Sequence, residues 1–295
     1  LTDDIELSVG LVRRLVAHQF PRWADLEVRE VASQGWDNRT FRLGRELSVR
    51  LPSADGYAPQ VDREHRWLPV LGRALPLPIP SPVAKGMPSS LFPRAWSVYR
   101  WVDGSPLSEA RTVDLAGLAV DLAEFLLSLH AVPVPPEAPL PEPSNGFRGG
   151  PFDRYLAEGQ AAVSSLARPL RERARRWLHE AAESRWGSPP VWVHGDMSAG
   201  NLLTRDGRLG AVIDFGCLAV GDPACDLTAA WTIFDEHSRT TFRHHVGHDA
   251  ATWRRARGWA TWKAAITIEA EPEGSAKHED AQRALRQLWD DQAAA

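Results

Sequence analysis

The strongest constraint on the fold is a change of hydrophobic period near residue 103. Between Phe41 and Leu51, apolar and polar residues alternate. Phe41 and Leu43 flank Arg42, and Leu47, Val49 and Leu51 alternate with Ser48 and Arg50. A period of two sends every second side chain to one face of a strand. From residue 115 the period is helical. Leu115, Leu118, Leu122, Phe125, Leu126 and Leu129 form one stripe, the spacing that lets a helix bury a single side. A chain with this switch builds a strand-rich part first and a helical part after it.

The local signals fill in that outline. Leu7, Leu11, Leu15 and Val16 predict a helix over residues 5–20, stopped by Pro21. LEVREVA, NRTFRLG and ELSVRLP read as strands, with Gly35 and Gly44 in the turns. A helix is expected from about Val61 to Leu71, then a strand AWSVYRWV that ends at Val102 where DGSP breaks it. Residues 1–102 are therefore expected to form one lobe and 103–295 a second. In the second lobe, the proline-rich stretch 131–151 predicts an extended surface loop. Helices are expected to resume over 152–186. VWVHGD and NLLTRDGRLGAVIDFG follow as a hairpin-like pair, with Asp206-Gly207 as a turn. The last hundred residues, rich in Trp and Ala, return to helices.

Composition excludes several classes of function. The chain has 295 residues, long for one core and comfortable for two. Net charge is -4, from 34 Lys+Arg against 38 Asp+Glu, with no basic block, so nucleic acid is not an expected partner. Cys217 and Cys225 have neither zinc spacing nor a disulfide framework and read as reduced thiols. The most apolar helix, LAGLAVDLAEFLLSLHAV, contains Asp121 and Glu124 and reads as amphipathic, not membrane-spanning. The first residues show no basic segment followed by an apolar one, so no secretory signal is visible. A cytoplasmic protein is expected.

Chemistry concentrates at HGDMSAGN, residues 194–201. A turn needs the glycines but not an acid at Asp196 and a carboxamide at Asn201. His194, Asp196 and Asn201 read as H-x-D-x-x-x-x-N. In the protein-kinase catalytic loop the same acid-to-amide spacing lets the Asp accept a hydroxyl proton while the Asn holds magnesium. Thirteen residues after Asn201, AVIDFG places Asp214 at the end of an apolar run, before Phe215 and Gly216. A buried strand ending in an acid is costly without a cation, and magnesium takes such oxygen ligands. Arg50 on a strand and Glu64 on the following helix offer an ion pair to steady phosphates. SQGWDN, with Gly35 and Asn38, offers backbone N–H groups in a turn.

On these residues the chain resembles the aminoglycoside phosphotransferase family of protein-kinase-like small-molecule kinases. GWDNRTFRLGRELSVRLP resembles its phosphate loop and cation-bearing strand, and EHRWLPVLGRALPLPIPSPVAKG its inserted helix with the proline-rich run beyond. YRWVDGSPL resembles the hinge, VHGDMSAGNLL the catalytic loop and VIDFG the metal-binding segment. GDPACDL resembles the segment in which Asp226 anchors the catalytic loop; turn and cap roles for Asp222 and Asp226 suffice from the residues themselves.

The resemblance implies an α+β, bilobal protein-kinase-like fold. An antiparallel N-lobe sheet with one main helix precedes a mostly helical C-lobe. It implies transfer of the γ-phosphate of ATP or GTP, with Mg2+, to a hydroxyl of an aminoglycoside-like or other antibiotic. Asp196, Arg50 and Glu64 would be catalytic. Gly35, Asn38, Arg50, Tyr99, Arg100 and Val102 would bind nucleotide, with Tyr99 as gatekeeper, and Asn201 and Asp214 would hold the metal. The protein is expected to act as a monomer or weak dimer without a membrane.

Two departures stand out: Arg50 replaces the usual lysine, and Met197, Ser198 and Ala199 follow the catalytic Asp where the family often has His and Pro. Asp235, Glu236, Glu269, Glu271 and Glu273 offer charge for a cationic acceptor. Rival readings are a choline, homoserine or sugar kinase, a nucleotide-binding protein without turnover, and a metallohydrolase using His194, Asp196 and Asp214.

Overall fold

Ser8 starts the first helix. Its Oγ accepts the Leu11 N–H at 3.3 Å, so α1 spans Val9–Gln19 and begins later than the expected residue 5. A cap oxygen satisfies a donor that the first turn leaves without a partner. Pro21 then opens a short 3-10 turn. The computed structural model describes residues 5–32, 34–110 and 112–291; the N-terminal residues 1–4 and Ser33 of SQGWDN lie outside them. The chain divides into two units, 1–103 with 211–217, and 104–210 with 218–295. The short segment 211–217 thus groups with the strand-rich unit, although it lies in the range expected for the second lobe.

In the first unit, β1 (Val28–Glu30), β2 (Asn38–Leu43), β3 (Leu47–Pro52), α2 (Ala58–Leu71), β4 (Pro82–Gly86) and β5 (Trp96–Arg100) follow α1. The sheet order is β1-β2-β3-β5-β4, with antiparallel pairs throughout. Register sets Arg50 opposite Thr40 on one side and Ser97 on the other, in the middle strand. The predicted alternation holds. Phe41, Leu43, Val49, Leu51, Trp96 and Val98 pack with Leu11, Val12, Leu15 and Val16 of α1 in one buried cluster. Arg50 and Tyr99 take the opposite direction. β4 was not expected. It begins at a proline and sits at the sheet edge, the place where a missing N–H is tolerated.

The second unit opens with β6 (Ser105–Pro106) and α3 (Leu115–Ala131). Asp114 caps α3 by accepting Gly117 N–H at 3.0 Å. The stripe Leu118, Leu122, Phe125, Leu126 and Leu129 is buried as predicted. The helical stretch expected over 152–186 divides into α4 (Leu156–Ala162) and α5 (Arg168–Glu183), because 3-10 turns flank α4 and Pro169 is placed in the first turn of α5.

β7 (Val191–Val193), β8 (Leu202–Arg205), β9 (Arg208–Val212) and β10 (Ala219–Gly221) form two small sheets, ordered β6-β8-β9 and β10-β7. The Asp206-Gly207 turn joins β8 to β9. Both residues have positive φ, 52° and 77°, as a two-residue hairpin turn of the I′ type requires. VWV pairs with β10 rather than with the strand that follows it. α6 (Ala229–Thr232), α7 (Glu236–Val246), α8 (Ala250–Ala270) and α9 (Ala276–Asp290) complete the unit. Asp235, Asp249 and Ser275 cap the last three. Among the described residues no helix is long and apolar enough to cross a membrane.

The proline-rich stretch is not extended throughout. Pro143–Asn145 forms a 3-10 turn, and the buried Asn145 donates from Nδ2 to Leu140 O at 2.9 Å. Gly149 O accepts Asp222 N–H at 2.8 Å, and a side chain at Gly221 would collide with the Gly149 backbone. This close approach fixes the end of the loop, including Arg148.

Two histidines predict an acid-sensitive unit. His130, at the end of α3, and His248 have ring centroids 5.6 Å apart, and neither buried Nε2 has a hydrogen-bond partner. Burial, aided by His248, lowers the His130 pKa to about 3, and burial lowers that of His248. The folded state therefore holds both neutral. Their stability contribution is present above the unfolded pKa of about 6.5 and is lost as pH falls from there toward the folded value. Urea unfolding of His130→Leu is expected to show a flatter loss of stability between those limits than wild type.

Candidate active site

The loop HGDMSAGN is built within the second unit. β7 is buried and delivers His194 to the interior, fully buried. Gly195 follows at φ 84°, which an L side chain rarely adopts. Asp226, fully buried, accepts His194 N–H with Oδ2 and Gly195 N–H with Oδ1, both at 2.7 Å. Burial raises the Asp226 pKa, while those two N–H groups and His194 oppose the rise. Asp226 thus clamps the turn, and Asp222 caps Ala224 N–H at 3.0 Å and pairs with the buried Arg255 at 2.6 Å.

His194 is committed to this turn as well. Its Nδ1 accepts Asp196 N–H at 3.2 Å. The Nδ1 lone pair is therefore spent on the backbone and is not offered to a metal. Among the described residues no group of three or more His, Cys, Asp and Glu is arranged to hold a metal.

Asn201 and Asp196 meet across one turn. Asn201 Nδ2 donates to Asp196 O at 2.9 Å and to Asp196 Oδ2 at 3.0 Å. Carboxylate and carbonyl oxygens only accept, so the amide orientation follows. That leaves Oδ1 as the acceptor atom of the amide, a neutral oxygen of the kind magnesium accepts.

Asp196 has a further partner that the sequence reading missed. Lys263 of α8 donates to Asp196 Oδ1, and the two side chains are 29% and 35% exposed. Burial would raise the Asp196 pKa. The ammonium of Lys263 outweighs it, with His194 and Arg148 adding to the effect, and the carboxyl is held down at about 2. Arg148 lies over Trp262 at 4.8 Å, Trp259 at 5.2 Å and Tyr155 at 5.5 Å. Asp196, Lys263, Arg148, Met197, Cys225 and Trp259 line a small cavity together. One signal pointed to Lys263. Lysine occurs only at positions 85, 263 and 277 of this arginine-rich chain, and Lys263 interrupts the otherwise uncharged run GWATWKAAITI.

The first unit assembles the other charged cluster. Arg50 Nη1 pairs with Glu64 Oε1 at 3.3 Å, as expected, and Nη2 pairs with Asp214 Oδ1 at 2.7 Å, which was not. Burial would lower the Arg50 pKa; Asp214 and Glu64 outweigh it and keep the guanidinium charged. Burial raises the Glu64 pKa against the pull of Arg50. Tyr99 is buried and donates its hydroxyl to Glu64, so it orients the ion pair from the interior rather than presenting its ring to a ligand.

Asp214 adopts φ 66°, in the left-handed region, which Asp tolerates better than most non-glycine residues. Its side chain is 30% exposed, and Oδ1 is the oxygen that faces Arg50. Arg63 Nη1 holds the next turn by donating to Gly216 O at 2.7 Å. A partly exposed carboxylate whose other oxygen does not face Arg50 fits a magnesium ligand.

The remaining sequence candidates take other places. The Asn38 carboxamide is buried and donates to Gln60 Oε1 at 3.3 Å, and Gln60 donates to Asp37 at 2.9 Å. Asn38 therefore ties the loop to α2. Gly35 is exposed, and its carbonyl accepts from Arg39 at 2.7 Å. Arg100 spends its N–H on Ser81 O at 2.9 Å. Val102 lies two residues beyond β5, half-buried.

Comparisons with known proteins identify the family and the fold. Residues 28–259 match the model of the phosphotransferase enzyme family APH. The structure resembles the GDP complex of an aminoglycoside 2'-phosphotransferase-IIIa, with TM-score 0.71, 21% identity, and 96% of this chain and 99% of that one covered. It also resembles the macrolide 2'-phosphotransferase from Brachybacterium faecium, with TM-score 0.62, 23% identity, and 93% and 97% covered. At such identity the likeness shows the fold, the α+β protein-kinase-like class expected from the sequence. The family match covers most of the chain, and the chain belongs to the phosphotransferase enzyme family.

Proposed function

We propose that the chain transfers the γ-phosphate of ATP or GTP to a hydroxyl of an antibiotic-like small molecule. One observation carries the reading: the ionised Asp196 carboxylate, held by Asn201 and Lys263 on a loop clamped by Asp226. The neighbours in fold include aminoglycoside and macrolide phosphotransferases, which supports a hydroxylated small-molecule acceptor without fixing its charge.

Asp196 orients the acceptor hydroxyl and takes its proton. With its pKa at about 2 it is a weak base, so it accepts the proton late, after the phosphorus–oxygen bond has largely formed. Positioning and electrostatics then supply most of the rate. Asn201 Oδ1 and Asp214 are the proposed magnesium ligands, and the ion, when bound, neutralises phosphate charge. Arg50, fixed by Glu64 and Tyr99, steadies the phosphates in a fork that lysine does not offer. Gly35 and Val102 are proposed to offer backbone groups to the nucleotide. Asn38 shapes the loop that carries Gly35.

The experiment is a panel: nucleotide consumption with magnesium, using ATP and GTP, across aminoglycosides, macrolides and small metabolic alcohols. Acceptor-dependent formation of nucleoside diphosphate together with a phosphorylated acceptor supports the proposal. Nucleotide binding without turnover on any acceptor contradicts it and favours a binding protein.

A further inference from the structure

The surroundings of Asp196 constrain the charge of the acceptor. A site for a polycation needs carboxylates near the reacting hydroxyl, because each ammonium drawn into a partly buried cleft loses hydration that only an opposite charge repays. The void beside Asp196 is about 10 Å³, the size of one water, so it reports only the groups nearest the carboxylate, with Glu158 and Asp226 behind Trp262 and Cys225 of its lining. Among the described residues its lining holds one carboxylate, Asp196, and two cations, Lys263 and Arg148. Cys225 adds no negative charge, since burial holds its thiol protonated. Asp196 already has the Lys263 ammonium on Oδ1 and the Asn201 amide on Oδ2. The aromatic rings that favour a bound ammonium, Trp259, Trp262 and Tyr155, have the Arg148 guanidinium over them.

The acids that the sequence offered to a cationic acceptor lie elsewhere. Asp235 caps α7, and Glu271 pairs with Lys277 at 3.4 Å. Glu269 and Glu273 line a separate groove of about 850 Å³ with Leu170, Leu285 and Trp289.

Resting on the phosphotransfer reading, we infer that Lys263 is a specificity-determining residue: it closes Asp196 to polycationic acceptors and selects hydroxyl compounds that are neutral or anionic beside the reacting hydroxyl. Such an acceptor gives its O–H to Asp196 and a neighbouring oxygen to Lys263, so the pair grips two adjacent groups at once. A polycation must displace the ammonium and then stand beside it.

Calorimetric titration of the full chain with kanamycin, at low salt and without nucleotide, tests this. Wild type is expected to give no saturable binding into the millimolar range. Lys263→Met and Lys263→Gln are each expected to bind it at least about tenfold more tightly, and adding Asp196→Asn to either is expected to abolish the gain. Circular dichroism and the urea midpoint show which variants are folded, and the two substitutions differ in polarity, so one serves if the other misfolds. Micromolar binding by wild type, or equal binding by wild type and a folded variant, overturns the inference. These arms need no nucleotide, so their failure leaves phosphotransfer standing. Loss of nucleotide-dependent transfer with every acceptor would instead remove phosphotransfer without altering these affinities.

Discussion

Asp196→Asn is expected to bind ATP as wild type does and to transfer phosphate about a hundred to ten thousand times more slowly, the usual worth of a positioned general base. The substitution keeps volume and one oxygen, so it leaves packing and the bond from Asn201 available. It removes two things that a carboxamide lacks, proton acceptance and the negative charge that pairs with the Lys263 ammonium. Nucleotide affinity from calorimetry and kcat from diphosphate release separate the two effects. Undiminished kcat would take Asp196 out of its role.

Asp226→Ala is expected to cost about 2–5 kcal/mol of stability. Asp226 is fully buried, and its two oxygens are the acceptors for His194 and Gly195 N–H. Removing it strands two buried donors at the turn that presents Asp196. Asp226→Asn keeps one acceptor oxygen and is expected to fall between alanine and wild type. Urea unfolding measures both. A change within about 0.5 kcal/mol for the alanine variant would show that the loop holds itself without this clamp.

How much of this was legible in the sequence follows from range. The alternation around Arg50 and the stripe of α3 are local patterns, and both appear where they were read. The spacing from Asp196 to Asn201 is one turn of chain, and the bond across it forms as that spacing allows. The pair of Arg50 with Glu64 was visible because a strand residue and the next helix are close in sequence. The contacts of Arg50 with Asp214 and of Asp196 with Lys263 were not. Each joins residues far apart in the chain, and no periodicity reports a tertiary contact.

Other contacts escape the sequence for equally specific reasons. Asn38 reads as part of a turn that offers backbone N–H groups; it opens β2, and its carboxamide turns inward to Gln60. Tyr99 reads as a gatekeeper, and its hydroxyl contact with Glu64, a residue 35 positions away, is not visible in the sequence. β4 was hidden by Pro82, and the proline-rich loop concealed the turn at Asn145 that fixes Arg148. Propensity describes a segment on its own, and these outcomes depend on what packs against it.

The most direct test of the account is the binding of manganese, in place of magnesium, followed by electron paramagnetic resonance in the presence of a non-hydrolysable ATP analogue. Wild type is expected to take up manganese only with the nucleotide. Asp214→Ala is expected to lose that uptake, and Asn201→Ala to weaken it. Nucleotide-dependent uptake that is unchanged in both variants would contradict the assignment of these two residues to the metal, and with it the proposed mechanism of transfer.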